Sequence, residues 1–438
     1  MGSLAKATAE SSVDRLTILS KAIDEKTRIL ANKLRAKGLR APSFQADGLS
    51  DFPLNEVDDE TIKARQEIIA LTKELHDLVL GPREWLKTMA WDAVSYIPLH
   101  AICEFKIAEA VPLTGSITYE DLAVEVQRLS GTAILPLDLR RLLRLAITNN
   151  TFHEPKIGSV AHNRISLLLL NDTALANWAA FFTMDMMGPV ANTVAAMKKW
   201  PGSQEANETG VNITFNHNES FFDHLRADEA PARRYATMLQ SHGSREGYDI
   251  SYTVSGYPWA KLGSSTVVDM GGSEGVVSFA VAEQFPQLRF IVQDLAGMRT
   301  PEAIDKIPKN LADRVSLTTH DFFQPQTESA DAYLFRHIFH AFSDKYAIDI
   351  LRALVPALRP GARVIINDIV LPAPGLLSQL EEKSIRTMDV LMKTVCNSRE
   401  REVDDWRSLF EQADKGFRWQ GAWKSSGKLW FIESIWEP

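Results

Sequence analysis

The chain has few cysteines, no long apolar segment and no excess of positive charge, and each absence excludes a class of protein. Two cysteines, Cys103 and Cys396, among 438 residues are too few for a disulfide framework. A formal net charge of −8 argues against a protein that binds nucleic acid by neutralising phosphates. No apolar run approaches the ~18–20 residues that span a bilayer, and residues 1–20 lack the apolar core of a signal peptide. We therefore expect a protein of the reducing cytosol that binds neither nucleic acid nor a membrane.

Three parts of the chain differ in their patterns, and the length is sufficient for two or three domains. Residues 1–80 predict a helical arm with a linker, since helical spacing recurs on both sides of a segment rich in proline and glycine. Residues 81–218 predict a helical domain, in which helices at 119–128 and 137–148 and a following β segment are typical of a winged helix. We interpret it as a packing module rather than a DNA reader, because the surrounding charge is acidic. Residues 219–438 predict the third domain: its pattern is helical to residue 248 and alternates strands and helices from Thr266, which predicts an open α/β sheet with an antiparallel ending.

The most informative segment joins an apolar run, a glycine-rich turn and a later carboxylate. Residues 267–275 read Val-Val-Asp-Met-Gly-Gly-Ser-Glu-Gly, and residues 291–294 read Ile-Val-Gln-Asp. This pattern is typical of a βαβ unit that binds a nucleoside, because the glycines let the backbone approach the ligand and Asp294 can accept from two ribose hydroxyls. Asp269 at the strand end would repel a pyrophosphate, but it suits a ligand with an ammonium group, such as the methionine part of S-adenosylmethionine.

A third acidic residue follows the next predicted strand. Asp321 could accept from an adenine amino group, and Phe322 could stack beside the ring. The alternative is a flavodoxin-like sheet whose acids only cap helices, and each acid alone fits that interpretation equally well. Three acids at successive strand ends, together with the glycines, favour S-adenosylmethionine as the cofactor.

Six motifs follow one another in the C-terminal half of the chain: VDMGGSEG at 268–275, FIVQDL at 290–295, HDFF at 320–323, RHIFHAFSD at 336–344, IINDIVLP at 365–372 and RER at 399–401. In this order they resemble the S-adenosylmethionine-dependent small-molecule O-methyltransferases of the caffeic-acid type, in particular the fungal secondary-metabolism branch, which includes methyltransferase-like pericyclases. The resemblance implies an α/β, Rossmann-like class I methyltransferase domain after an α-helical, winged-helix-like dimerisation domain. It also implies a small-molecule substrate and a homodimer.

The resemblance further implies roles for single residues. The histidine that deprotonates the acceptor hydroxyl in that family falls on His340, and the two carboxylates that orient it fall on Asp368 and Glu400. A phenol with a pKa near 10 is a poor nucleophile at neutral pH, whereas a histidine with a pKa of about 6.5 can remove its proton. No metal is expected, because a sulfonium methyl is already activated. The implied cofactor-binding residues are Asp269, Gly271, Gly272, Gly275, Asp294, Leu295, Asp321, Phe322 and Arg336, and the implied acceptor pocket comprises His162, Phe182, Met186, His337, Met388 and Met392.

Three positions depart from the family's pattern. Ala341 follows the base where an acid or an amide is usual, Asp368 replaces a longer glutamate, and Ser273 occupies the third position of the glycine turn. A base that is misplaced by about an ångström can lose about a hundredfold in rate. Two pocket assignments also have plain structural alternatives, since the aromatic and methionine stripe at 173–187 can be core packing and His162 can be a satisfied histidine.

The departures leave a second class of function open. Some fungal members of this fold keep S-adenosylmethionine but catalyse dehydration or pericyclic ring closure, and Arg336, His337 and His162 would then polarise a carbonyl. We predict methyl transfer to a hydroxyl of a small aromatic or polyketide-type natural product. The alternatives are a pericyclase or dehydratase that acts on a polyketide-derived, pyridone-type intermediate, and a non-catalytic regulator with a winged helix.

Overall fold

The chain folds into two compact units, Met1–Asp185 and Met186–Pro438. This computed structural model describes residues 9–243, 247–295 and 306–438. Within those residues no single helix is both long and apolar enough to cross a membrane, and Arg164–Asn171 and Thr173–Asp185 pass that test only as a pair bent by 100°.

The predicted domain boundaries relate differently to these units. The boundary at residue 80 lies beside Gly81, which departs from helical geometry (φ 77°, ψ 159°) and breaks a long helix. The boundary at residue 218 does not coincide with the division at 185, because the segment after 185 packs on the C-terminal unit. There the hydroxyls of Thr193 and Thr394 are 2.8 Å apart, and Asn397 donates to the Glu205 carbonyl at 3.1 Å.

The N-terminal unit is almost entirely helical. Single turns of 3-10 helix occupy Leu54–Glu56 and Asp92–Tyr96, and a π-helical turn occupies Phe181–Asp185. Its regular elements are α1 (Ala9–Ala36), α2 (Asp59–Trp91), α3 (Ile97–Glu104), α4 (Ile107–Ala110), β1 (Ile117–Thr118), α5 (Tyr119–Ser130), α6 (Pro136–Thr148), β2 (Ser159–Val160), α7 (Arg164–Asn171) and α8 (Thr173–Ala180).

The predicted pair of helices is present as α5 and α6. Thr118 caps α5 by accepting from the backbone N–H of Asp121 at 3.1 Å, and it donates to the Asp121 carboxylate at 2.8 Å. After α6, an isolated bridge joins His153 to Ala161, and β2 pairs antiparallel with β1, the strand that precedes α5. Buried apolar residues of both helices form the core of this region.

The C-terminal unit alternates strands and helices. Turns of 3-10 helix occupy Trp259–Leu262, Lys309–Leu311, Phe339–Ala341 and Val355–Ala357. Its regular elements are α9 (Met187–Lys199), α10 (Gly210–Phe215), α11 (Phe221–Ala227), α12 (Glu229–Gly243), α13 (Ile250–Gly256), β3 (Thr266–Met270), α14 (Val276–Gln284), β4 (Arg289–Asp294), β5 (Val315–Thr319), β6 (Ala332–Arg336), α15 (Asp344–Leu354), β7 (Arg363–Asp368), α16 (Gln379–Cys396), α17 (Val403–Ala413), β8 (Phe417–Lys424) and β9 (Trp430–Trp436).

Seven strands form one mixed sheet in the order β5-β4-β3-β6-β7-β9-β8. The first five are parallel, and β9 runs antiparallel to both β7 and β8, which is the predicted antiparallel ending. The chain builds outward from β3 to β5 and then returns to the other side of β3. Ligands in open α/β sheets bind at such a reversal, outside the carboxyl ends of the strands. The fold therefore places the candidate site where β3 and β6 end.

Alternation along the strands gives the sheet two apolar faces. In β6, Tyr333 and Phe335 pack with α15 and α17, whereas Ala332 and Leu334 pack with α13 and α14. Both faces are covered, as near-continuous apolar strands require. In β6 and β7 the charged and amide side chains lie at the strand ends, where Arg336 of β6 pairs with Asn367 of β7.

Candidate active site

The predicted base lies in a single turn of 3-10 helix, Phe339–Ala341, just beyond the carboxyl end of β6. The Nδ1 atom of His340 is 3.1 Å from Glu400 Oε1 and 3.9 Å from Asp368 Oδ1. The His340 side chain is 15% exposed, whereas both carboxylates are fully buried. The fold thus brings together three residues that the sequence analysis grouped as catalytic.

The two carboxylates contact different parts of the histidine. Glu400 lies at hydrogen-bond distance from the ring, and its Oε2 atom is buried without a hydrogen-bond partner among the described residues. Asp368 Oδ2 instead accepts from the backbone N–H of His340 at 3.2 Å, and Oδ1 accepts from the N–H of Ile369 at 3.0 Å. Glu400 therefore contacts the imidazole directly, whereas Asp368 bonds the backbone of the turn. The expectation that both carboxylates orient the imidazole stays a prediction.

The carboxylates also govern the protonation of His340. Burial lowers the pKa of His340, but the charges of Asp368 and Glu400 and the hydrogen bond to Glu400 outweigh burial and raise the pKa to about 9. Burial raises the pKa of Glu400, although the charge on His340 opposes that rise. The surroundings therefore favour the imidazolium at neutral pH, and a cation bound beside the ring would shift the balance towards the neutral form.

A second histidine flanks Asp368. The backbone of His337 has a positive φ of 56°, and its Nδ1 is 4.0 Å from Asp368 Oδ1. Its ring centroid lies 5.5 Å from that of His340 and 6.1 Å from that of Tyr248. Met388 packs on the apolar cluster that contains Tyr248. Of the residues predicted for the acceptor pocket, His337 therefore lies beside Tyr248, and Met388 packs on the cluster to which Tyr248 belongs.

Two groups of described residues bring three potential metal ligands within 4.8 Å of one another. They are His337, His340 and Asp368, and His217, Glu219 and His224. In the first group Nδ1 of His340 already bonds Glu400. The expectation that no metal takes part stays a prediction.

The glycine turn after β3 packs directly on the turn of the histidine. Gly271 has a φ of 72°, and a Cβ there would lie 2.5 Å from Ile338 Cδ1 and 3.7 Å from the ring of Phe322. A Cβ at Gly272 would lie 2.7 Å from the carboxylate of Asp269. Side chains at either position would displace these neighbours. The glycine turn therefore packs on Ile338, which precedes His340 by two residues, and it is bonded to the end of β4 through the Gln293 carbonyl.

The carboxylate at the end of β4 is fixed by backbone donors. Asp294 Oδ2 accepts from the N–H of Ser273, and Oδ1 accepts from the N–H of Leu295, both at 2.8 Å. A carboxylate accepts several hydrogen bonds at once, which is what recognition of the two hydroxyls of a ribose requires. At the end of β5, Asp321 accepts from the N–H of Phe323 at 3.0 Å. These two acids fit the predicted nucleoside.

Two other predicted cofactor residues are engaged with the protein. Asp269 is buried, and its Oδ2 accepts from the hydroxyl of Ser278 in α14 at 2.6 Å. Arg336 donates to the hydroxyl of Thr253 at 3.2 Å and to the carbonyl of Tyr248 at 3.1 Å. Burial lowers the pKa of Arg336, opposed by nearby carboxylates. These contacts anchor helices behind the site, whereas the sequence analysis expected both side chains to face the ligand.

The remaining pocket residues are dispersed. In the N-terminal unit, His162 is buried with Nδ1 at 2.9 Å from Ser166 Oγ and Nε2 at 3.0 Å from the Val111 carbonyl, so no ring nitrogen is left for a substrate. This corrects the expected pocket role in favour of the structural alternative. Phe182 lies in the π-helical turn and packs on Trp178 at 5.0 Å. In the C-terminal unit, Met186 is buried and Met392 is half-buried.

One buried residue near the histidine was missed by the sequence analysis. Arg401 has no exposed side-chain surface, and its guanidinium donates to the carbonyls of Phe339 and Phe342. The motif at 399–401 was noted, but only Glu400 received a role. The two arginines of this motif were the only indication of such a residue, and nothing in the sequence shows that Arg401 is buried while Arg399 is exposed.

Comparison with sequence families and curated proteins gives consistent matches. Residues 204–418 match the family described as O-methyltransferase domain. The chlorophenol O-methyltransferase of Trichoderma longibrachiatum is 37% identical over 98% of this chain and 91% of its own length. The grayanic acid biosynthesis cluster O-methyltransferase of Cladonia grayi is 38% identical over 92% of this chain and 84% of its own length.

Solved structures share the fold at lower identity. OxaC in complex with SAH and oxaline has a TM-score of 0.69 at 21% identity, and covers 96% of this chain and 100% of its own. LepI in complex with SAM has a TM-score of 0.69 at 19% identity, and covers 88% of this chain and 96% of its own. A structure described as a pericyclic reaction enzyme has a TM-score of 0.70 at 18% identity, with coverages of 96% and 100%.

The site predicts an unusual titration of one histidine. Side-chain NMR of histidine-labelled protein should give His340 a pKa of about 9, because two carboxylates surround its ring. Glu400→Gln should lower that pKa, since a charge at 3.1 Å is removed. Glu411→Gln, the same charge change at an exposed position of α17, should leave it in place. An unchanged His340 pKa in Glu400→Gln would contradict the electrostatic account.

Proposed function

The chain belongs to the S-adenosylmethionine-dependent O-methyltransferases, and we propose that His340 is the general base of its reaction. The observation that carries the proposal is the 3.1 Å contact between Nδ1 of His340 and Glu400. Since Nδ1 is bonded to the carboxylate, Nε2 is the nitrogen that takes the proton from the acceptor hydroxyl. Glu400 then stabilises the imidazolium that forms, and Asp368 holds the turn through the backbone N–H of His340.

The electrostatics of the base set the condition for the reaction. Bound S-adenosylmethionine supplies a methyl group that is activated by the positive charge on sulfur. The two carboxylates make His340 a stronger base than an isolated histidine, but they also favour its protonated form at neutral pH. The imidazole must therefore be deprotonated before it accepts the hydroxyl proton, and a nearby positive charge promotes that deprotonation.

We propose that the cofactor lies at the carboxyl ends of β3, β4 and β5. Asp294 accepts from the ribose hydroxyls, and Asp321 and Phe322 bind the adenine. The support is the carboxylate of Asp294, which two backbone N–H groups hold in place. Leu295 is partly exposed beside it, and the turn from Gly271 and Gly272 to Gly275 lines the approach. Asp269 and Arg336 contribute by anchoring α14 and α13 behind this surface.

The proposed acceptor is a phenolic hydroxyl of a small aromatic or polyketide-type compound. The name of the Trichoderma relative, chlorophenol O-methyltransferase, supports a phenol. His337, Met388 and Met392 of the C-terminal unit are the residues that we expect to contact it. Ring closure without methyl transfer is the alternative, and the experiment below separates the two reactions.

Product analysis tests the reaction and the base together. With S-adenosylmethionine and a panel of chlorinated phenols and hydroxypyridones, mass spectrometry should detect S-adenosylhomocysteine and methylated product in equal amounts. His340→Ala should lower turnover by about 10²–10⁴-fold, because the hydroxyl loses its proton acceptor, while calorimetry shows cofactor binding within about threefold of wild type. His153→Ala, which changes an exposed histidine of the N-terminal unit, should keep full activity.

Two results would overturn parts of this proposal. If a substrate is converted while S-adenosylmethionine stays intact, methyl transfer is wrong and the pericyclase alternative is supported. If His340→Ala keeps near-normal methyl transfer, the base assignment is wrong and the family's reaction proceeds without it.

We also propose a homodimer formed by the N-terminal unit, with the winged-helix-like region as part of its dimerisation domain. Large apolar side chains are exposed along the second half of α2 and the turn after it, and Trp91 is 75% exposed. Contiguous exposed apolar surface of this kind marks an interaction site. The exposed residues are Leu78, Val79, Leu86, Met89, Trp91, Val94, Tyr96 and Ile97.

Light scattering tests the dimer. The wild-type protein should elute with about twice the chain mass of 48.9 kDa, and Trp91→Lys should shift it towards the monomer, because a charge would be buried in the interface. Ile157→Lys makes the same change at a loop residue that is 89% exposed, and it should leave the dimer intact. A wild-type monomer at micromolar concentration would refute the proposal.

A reducing cytosolic location completes the proposal. Cys103 and Cys396 are both free thiols, and burial raises the pKa of Cys396 to about 12. Two unpaired cysteines are typical of a protein that is not exposed to an oxidising compartment.

A further inference from the structure

We propose that Arg401 is a positioning residue for His340, because its guanidinium binds the turn of the base on both sides of the histidine. This inference rests on the proposed role of His340 as the general base. It assigns to Arg401 the task of holding the turn in the orientation in which Glu400 meets the imidazole.

The geometry of Arg401 is that of a two-point clamp. Its Nη1 donates to the carbonyl of Phe339 at 2.8 Å, and its Nη2 donates to the carbonyl of Phe342 at 2.7 Å. Phe339 precedes His340, and Phe342 follows it by two residues. The rigid fork of a guanidinium can bind two carbonyls at a fixed separation, whereas the single ammonium of a lysine cannot reproduce that arrangement.

Residues 398–401, the segment that contains Arg401, make two further contacts with the turn. The hydroxyl of Ser398 donates to the carbonyl of His340, and Glu400 bonds its ring. Arg401 follows Glu400 directly, so the clamp fixes the carboxylate relative to the imidazole that it orients. A short turn of three residues has few internal hydrogen bonds, and its orientation therefore depends on these outside contacts.

The charge of Arg401 is balanced without the catalytic carboxylates. Its Nε donates to Asp344 Oδ1 at 2.9 Å, and its guanidinium lies 5.2 Å from the ring of Trp406. The other oxygen of Asp344 accepts from Arg399 at 2.8 Å. Loss of Arg401 therefore leaves Asp344 with a partner, and the cost of an unpaired buried charge is avoided. This makes a variant at position 401 suitable for kinetic work.

Arg401 also acts on the base through its charge. Burial and the two carboxylates dominate the pKa of His340, and Arg401 is a further group that lowers it. A variant that removes the charge should raise the pKa of His340, whereas one that keeps the charge should not. This difference separates a role at His340 from a general contribution to stability.

Arg401→Met and Arg401→Lys test the clamp. Both should lower kcat by about tenfold to a hundredfold, because the turn loses its two-point hold and the base is misplaced. The KM for S-adenosylmethionine should change by less than about threefold, since the residues proposed to bind it lie on β3 to β5. Only Arg401→Met should move the pH–rate profile to higher pH. Arg399→Met is the matched control, since Arg399 binds Asp344 and Asp405 without touching the turn, and it should keep kcat within about threefold.

A double-mutant cycle gives the decisive readout. In the His340→Ala background, single-turnover rates should be unaffected by Arg401→Lys, because the residue that the clamp positions is absent. Thermal unfolding establishes whether each variant is folded. If Arg401→Met does not fold, the test rests on Arg401→Lys. The inference is overturned if folded Arg401 variants keep wild-type kcat, or if Arg401→Lys lowers the rate equally with and without His340. If His340→Ala is itself active, the proposed base fails instead, which is a separate result.

Discussion

The hydrogen bond between His340 and Glu400 joins two turns that lie 60 residues apart in the chain, and the candidate site depends on it. The first turn follows β6 at the reversal point of the sheet, and the second follows α16. Backbone contacts from Asp368, Ser398 and Arg401 hold the first turn against the second. Because the glycine turn after β3 packs on Ile338, the same arrangement also fixes the distance between His340 and the surface proposed for the cofactor. The parallel strands carry the turns that contain the site residues, and a few long-range hydrogen bonds fix the orientation of those turns.

The two carboxylates stabilise the protonated form of His340, so its pKa is raised and the imidazolium is favoured at neutral pH. Asp368 and Glu400 raise the pKa of His340 to about 9 against the effect of burial. An imidazole with a raised pKa holds a proton that it accepts from a hydroxyl more tightly than an ordinary histidine does. It must, however, be in its neutral form before it can accept that proton. A positive charge near the ring lowers the pKa of His340 and so favours the neutral imidazole. Arg401 already has this effect. Asp368, which departs from the glutamate usual in the family, accepts from the backbone N–H of His340, whereas Glu400 contacts the imidazole ring.

Sequence patterns predicted the sheet and the site residues in different measure. The apolar runs that end at Met270, Asp294 and Arg336 report strands and their carboxyl ends, because side-chain alternation and glycine turns are local properties. The family resemblance grouped His340 with Glu400, and the fold places their side chains 3.1 Å apart. Partner choice was not predictable: Asp269 binds Ser278, Arg336 binds Thr253, and His162 is satisfied within its own unit. These outcomes depend on which polar group happens to lie within reach after folding, and the burial of Arg401 depends on carbonyls about 60 residues away.

The pH dependence of methyl transfer tests the central claim most directly. The measurement is kcat/KM between pH 6 and 10, taken with two acceptors whose hydroxyl pKa values differ, for wild type and Glu400→Gln. If His340 is the base, kcat/KM rises with pH as the imidazolium loses its proton. The midpoint of the rise is then the same for both acceptors, and Glu400→Gln moves that midpoint to lower pH. A midpoint that follows the hydroxyl pKa of the acceptor and ignores Glu400→Gln would contradict the account.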